Sequence, residues 1–131
     1  MNFKMDDNGT REIQIENGAV RENQSGKGRP DLISPFALTR LAKHYENGAK
    51  KYGDRNYEKG MKFSRYTASM FRHIIAWMKG DELDHHLAAI AWNAFAIMHH
   101  QELRQNELDD MPHYLSKEKN NENKQEKNPS T

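Results

Sequence analysis

Cysteine is absent from this 131-residue chain. That excludes disulfides, zinc–thiolate sites and cysteine nucleophiles. Also missing is any apolar run near the ~20 residues that a membrane-spanning helix needs, and the N-terminus has no apolar signal-peptide core. Neither sign of charge is in excess: 20 Lys and Arg stand against 19 Asp and Glu, a formal net charge of +1. A dedicated nucleic-acid binder needs a basic stripe to displace counterions, so this balance argues against one. The GxxxxGK[ST] loop, the HExxH motif and the nucleophile elbow are all lacking, which removes the common P-loop, zinc-protease and hydrolase readings. The expectation is a cytoplasmic protein that engages neither nucleic acid nor membrane.

What is present fits one small domain. From Pro112 onward Lys, Glu, Asn and Gln dominate. Such a composition cannot bury enough surface to offset its ordering entropy, so residues 112–131 are expected to be a disordered tail. Residues 1–8 are expected to be flexible. Residues 9–111 then form the domain, an N-terminal arm followed by helices. A core of about 90 residues is marginal alone, and association into a homo-oligomer, dimer or tetramer, is the expected remedy.

Arg11 to Glu16 alternates apolar and polar residues, and Asn17-Gly18 follows before Ala19-Val20-Arg21. Asn-Gly suits the positive φ of a two-residue hairpin turn, so a short β-hairpin or an extended arm is predicted. Three helical segments come next. Ser34 caps the first and Pro35 opens it, Leu38, Leu41, Tyr45, Ala49 and Tyr52 recur along one face, and Gly53 ends it. Ser64 is the expected cap of a second helix over residues 65–79, with Tyr66, Met70, His73 and Trp77 on one face. A third helix over residues 83–107 has a broad apolar face of Leu87, Ile90, Ala91, Ala94, Ile97 and Met98. The fold class is all-α, a small helical bundle of three main helices completed by oligomerisation.

Several residues carry chemistry. Gly26-Lys27-Gly28-Arg29 is a flexible basic loop just ahead of a helix N-terminus, the physical recipe for holding phosphate; the bland alternative is a solvated linker. Glu46 borders the apolar stripe of the first helix, as a snorkelling surface residue or as a ligand for a hard cation. His73 interrupts an apolar row, as a satisfied core residue or a ligand. Asp81 and Glu82 are accounted for by the dipole of the third helix. Glu82, His86, Ala89 and Asn93 fall on one row at the edge of its apolar face, by the ~100° per residue of an α-helix. A buried Asn93 amide needs a hydrogen-bonding partner, either across the helices or in a ligand. His99-His100 reads as surface. An HD-type metal phosphohydrolase is disfavoured, because Asp84-His85 reverses the His-Asp order.

Four separated strings share one resemblance: Gly26 to Ile33, Tyr45 to Tyr57, Arg72-His73, and His86 to Asn93. Together they resemble the phage dATP/dGTP diphosphohydrolase N-terminal domain family, a relative of the MazG-like all-α nucleotide pyrophosphohydrolases. The resemblance implies a helical oligomer that uses Mg2+ or Mn2+ and cuts a purine deoxynucleoside triphosphate to monophosphate and pyrophosphate. Its place would be phage nucleotide-pool control in the host cytoplasm. By matching position it implies Glu46, Asp84 and His73 as catalytic residues, and Glu46, Asp84 and His86 as metal ligands. Lys27, Arg29, Lys51, Asn56 and Asn93 become substrate-binding residues. Two positions depart from the family pattern: His85 stands where a second acid is usual, and Tyr57 where Trp is usual. The competing readings are a nucleotide-binding protein without turnover, which suits His85, and a helical interaction scaffold.

Overall fold

A computed structural model describes residues 11–13 and 17–116. The expected flexible N-terminus and residues 117–131 of the expected tail lie outside the described residues; residues 112–116 of that tail are described, with His113 held against Asp109. Strands β1 (Arg11–Ile13) and β2 (Val20–Glu22) pair antiparallel, with Ile13 opposite Val20 and Arg11 opposite Glu22. In this register Val20 faces Ile13, whereas a two-residue Asn17-Gly18 turn would place Ile15 opposite it. Asn17 Oδ1 instead accepts the Ala19 N–H at 3.0 Å, an Asx turn that needs no tight hairpin. Hydrophobic burial does not enforce the register, because β2 is exposed along its length.

Helix α1 (Pro35–Tyr52) begins and ends at the predicted residues. The Ser34 hydroxyl accepts the Ala37 N–H, Pro35 takes the first position, and Gly53, at φ +92°, donates its N–H to Ala49 O. Helix α2 (Phe63–Met78) starts two residues before expectation. Ser64 lies inside its first turn and does not cap it. Asp110, distant in sequence, supplies the cap: its Oδ1 accepts the Ser64 N–H at 2.8 Å and its Oδ2 meets the Ser64 hydroxyl. Lys62 reinforces the joint by donating to Glu107 O. No local sequence signal reveals a cap supplied from that far away.

Helix α3 spans His86–Glu102, shorter at both ends than predicted. Asp81 Oδ1 accepts the Leu83 N–H and Asp84 Oδ1 accepts the His85 N–H. Such short carboxylate-to-backbone bonds compete with helix formation and hold residues 81–85 as a loop. At the far end Arg104 turns to φ +56°, while Leu103 and Gln105 return their N–H groups to the carbonyls of His99 and His100.

α3 is the centre of the domain, packed mainly against α2 and also against α1. Its innermost row is His86, Ala89, Asn93, Ala96 and His100, with Ala88 beside it. The row expected at the edge of the apolar face is therefore the most buried one. Alanines let two helices approach closely, and the polar members find partners described below. Phe63, Tyr66 and Ala96 form the core at one end, with Trp92, Ile97, Leu108 and Met111 packed on it. Phe71, Ile75, Trp77 and Met78 of α2, and Leu87, Phe95 and Met98 of α3, remain exposed.

Candidate active site

At the N-terminal end of α3 three side chains converge. His73 from α2, Asp84 from the preceding loop and His86 from the first turn of α3 bring one ligand atom each within 4.8 Å of one another. His86 is buried, His73 half-buried and Asp84 exposed, so the cluster opens to solvent on its carboxylate side.

Hydrogen bonding orients the two rings and assigns the proton of one, His86. Asp81 Oδ2 lies 2.9 Å from His86 Nε2. A carboxylate accepts, so His86 carries its proton on Nε2 and turns the Nδ1 lone pair inward. His73 Nδ1 lies 2.9 Å from that Nδ1. Either His73 donates its proton there, or both lone pairs face a shared cation. Two nitrogens bound to one ion at about 2.1 Å lie about 3.0 Å apart at a right angle and about 3.4 Å apart at the tetrahedral angle, so the observed spacing suits an N–H···N bond and also a pair of ligands at a right angle. A carboxylate behind a ligating histidine, as Asp81 is here, orients the ring and raises its basicity. The Leu83 N–H and the His86 ring together hold the Asp81 carboxyl below its ordinary range. Among the described residues His73, Asp84 and His86 form a cluster capable of coordinating a divalent metal.

His73 also lines a cleft of about 450 Å³ between α1, the loop after it, α2 and α3. This volume lies within the range of small-molecule sites. α1 contributes His44, Tyr45, Ala49 and Tyr52, and α3 contributes Ala89, Trp92 and Asn93. Tyr45 meets Tyr57 edge-on at 5.8 Å and tilts against Trp92 at 6.4 Å. Burial lowers the pKa of the His44 imidazole, and His73, His85 and Lys51 add to that effect while Asp84 opposes it. A larger, shallower hollow of about 780 Å³ lies along β2 and the loop after it. It holds no histidine, and the cleft beside the His–Asp cluster is the better candidate.

The other residues named from the sequence are placed as follows. Asn93 is buried, donates to Ala89 O at 2.8 Å and to Ser69 Oγ of α2 at 3.3 Å, which supplies the interhelical partner expected, and it lines the cleft. Asn56 lines the cleft as well. Glu46 is exposed on α1, 3.8 Å from Lys50, and is not gathered with the histidine cluster. It lies three residues before Ala49, about 60° around the helix from that cleft-lining position, at the border of the cleft face. Lys51 is exposed in the last turn of α1, within electrostatic reach of His44. Lys27 borders the hollow beside β2. Arg29 forms a two-pronged ion pair with Asp31, Nε to Oδ1 at 2.9 Å and Nη2 to Oδ2 at 2.8 Å.

Two residues escaped sequence reasoning. Asp81 was fully explained by a helix dipole, yet it orients His86; the signal available was a carboxylate five residues before a histidine on a buried row. His100 was read as surface and is completely buried, with Tyr57 O, Tyr66 and Gln105 around its ring. Its position one full step along the row of Asn93 was the clue.

No curated protein and no solved structure is matched by this chain. The profile of one protein family, described as dATP/dGTP diphosphohydrolase, N-terminal, does match, over residues 17–111. That span takes in β2, all three helices, the His73–Asp84–His86 cluster and the cleft, and the chain belongs to the dATP/dGTP diphosphohydrolase N-terminal family.

Proposed function

We propose that this chain hydrolyses purine deoxynucleoside triphosphates, dATP and dGTP, to the monophosphate and pyrophosphate, and serves nucleotide-pool control in a phage-infected cell. Water adds to the α-phosphorus, the bond to the α–β bridging oxygen breaks, and pyrophosphate leaves. The observation that carries this reading is the His73–Asp84–His86 cluster at the border of an aromatic-lined cleft, in a chain of this family.

A divalent cation held there would supply charge neutralisation at the phosphate oxygens and a water of lowered pKa. Two imidazoles among three donors favour Mn2+ or a later first-row ion over Mg2+, which prefers oxygen ligands and water. Asp81 keeps His86 in the ligating tautomer, and Asn93 and Asn56 offer amide groups to the nucleotide within the cleft. The exposed Lys51 places positive charge near the cleft for the departing pyrophosphate. Lys27 and Arg29 reach phosphate only if the basic loop approaches the cleft and Arg29 exchanges Asp31 for the substrate. Tyr52 has an exposed ring at the cleft mouth and makes no ring contact among the described residues, which suits it to stack on a base. Glu46 retains its place only by matching position, as a ligand outside the histidine cluster.

Incubation with each deoxynucleoside triphosphate and Mn2+ or Mg2+, followed by product separation, tests the proposal. Monophosphate with pyrophosphate from dATP or dGTP supports it. Retention of nucleotide without turnover favours a sequestering protein, and neither outcome points to a scaffold.

A further inference from the structure

The paired histidines His99–His100 take no part in the chemistry above, yet they hold one wall of the cleft. His100 is fully enclosed, and both of its ring nitrogens are engaged. Nδ1 faces Gln105 Oε1, while Nε2 lies 3.1 Å from Tyr57 O and 3.4 Å from the Tyr66 hydroxyl. A carbonyl only accepts, so the Nε2 proton points to Tyr57; Nδ1 then accepts from Gln105, whose amide is read with its NH2 in place of Oε1 toward the ring. His99 packs edge-on against the ring of that same tyrosine, with centroids 5.3 Å apart. Consecutive residues of α3 thus grip Tyr57 by its backbone and by its ring.

Beyond this grip, Tyr45 meets the Tyr57 ring edge-on and Arg55 pairs with Glu58 inside the segment. Its own backbone bonds are short-range, Glu58 N–H to Arg55 O and Gly60 N–H to Tyr57 O. Arg55 sits at φ +58°, a left-handed conformation that costs a non-glycine residue energy and persists when its surroundings impose it. Gly60 closes against the gripping side chain. A Cβ there would come within 2.8 Å of Leu108 Cδ1 and 3.3 Å of His100 Cε1. Arg55, Asn56 and Tyr57 all line the cleft, so whatever fixes Tyr57 fixes that wall.

We propose that His100 is a positioning residue for the nucleotide: its bond to Tyr57 O sets the Arg55–Tyr57 wall against which the substrate binds. This rests on the assignment of the cleft as the nucleotide site. His100 lies fourteen residues along α3 from His86, about 21 Å at 1.5 Å per residue, so its influence falls on substrate binding and not on the metal cluster. Loss of the bond therefore raises KM and spares both metal affinity and the chemical step.

The test uses the full chain as wild type, His100→Phe, His100→Gln and Gln105→Leu. Phenylalanine keeps a planar ring without a donor, glutamine returns an amide N–H toward Tyr57 O, and Gln105→Leu loosens the ring from a half-buried site that tolerates change. Hydrogen exchange at the Glu58 and Gly60 amides should quicken about tenfold in His100→Phe, with α2 and α3 amides unchanged. KM for dATP or dGTP should rise about tenfold, with kcat and Mn2+ affinity within about twofold of wild type. His100→Gln should restore both readouts, and Gln105→Leu should show the same pattern at smaller size. Unchanged exchange at Glu58 and Gly60 in both His100→Phe and Gln105→Leu overturns the proposal. So does lost protection spread over α2 and α3 in both, or a fall in kcat at constant KM. Should the wild type hydrolyse neither nucleotide, the functional reading fails, while the exchange data still decide whether His100 holds the wall.

Discussion

Replacing Asp81 with Asn should damage metal binding at least as much as replacing it with Ala, although Asn is the closer mimic. The reason is a tautomer. Asp81 uses one oxygen to accept the Leu83 N–H and the other to accept from His86 Nε2 at 2.9 Å. An asparagine that keeps its oxygen on Leu83 must turn its NH2 toward His86. The ring then accepts at Nε2 and carries its proton on Nδ1, the atom that faces His73, which makes it useless as a ligand. Alanine leaves the ring free to choose the ligating tautomer with water as its partner. Loss of an outer-shell partner costs about 10- to 100-fold in metal affinity. The Asp81 side chain is 38 % exposed, so solvent compensates part of the loss in alanine, which should sit near the tenfold end. Asparagine should sit toward the hundredfold end. Calorimetric titration with Mn2+, with circular dichroism to verify that the fold is retained, measures both. An asparagine variant that binds like wild type, or an alanine variant clearly weaker than asparagine, would refute the tautomer assignment.

Release of Arg29 from its ion pair by Asp31→Asn should tighten triphosphate binding measured by calorimetry if the basic loop takes phosphate; unchanged affinity makes that loop a linker. Asp110 has its pKa lowered by the Ser64 hydroxyl and N–H, so its capping contribution is present above the ordinary carboxylate value of about 4 and is lost as pH falls through the lower folded value. Melting temperature followed from pH 5 to pH 2 should therefore fall less steeply in Asp110→Asn than in wild type, about which the two would otherwise agree only if Ser64 were capped by something else. The exposed apolar residues of α2 and α3, Phe71, Ile75, Trp77 and Met78 with Leu87, Phe95 and Met98, should be covered by a second copy. Sedimentation at micromolar concentration should show an oligomer, and a stable folded monomer would count against it.

How much of this was legible in the sequence differs from element to element. α1 could be read to the residue, because its cap, its first proline and its terminal glycine are local signals that act on the adjacent backbone. α2 and α3 were found but misbounded, since Asp110 caps α2 from a distant segment and the Asp81 and Asp84 carboxylates unwind the start of α3. The largest misreading was of depth. Hydrophobicity placed Leu87 and Met98 on the apolar face, His86 at its edge and His100 at the surface, yet the buried row is His86, Ala89, Asn93, Ala96 and His100. The polar members of that row are tolerated because each has partners: Asp81 and His73 for His86, Ala89 and Ser69 for Asn93, Gln105 and Tyr57 for His100. Position on the helices singled out His73 and His86 separately, and the family resemblance added Asp84. That they meet depends on how α2 and α3 pack, which a one-dimensional pattern does not contain.

The central claim is that a divalent metal binds where His73, Asp84 and His86 converge. Anomalous diffraction from crystals soaked in Mn2+ tests this most directly. The account predicts a peak within ligand distance of His73 Nδ1, His86 Nδ1 and an Asp84 oxygen, and its loss in Asp84→Asn but not in Glu46→Gln. A peak at Glu46 with none between the two histidines would contradict it.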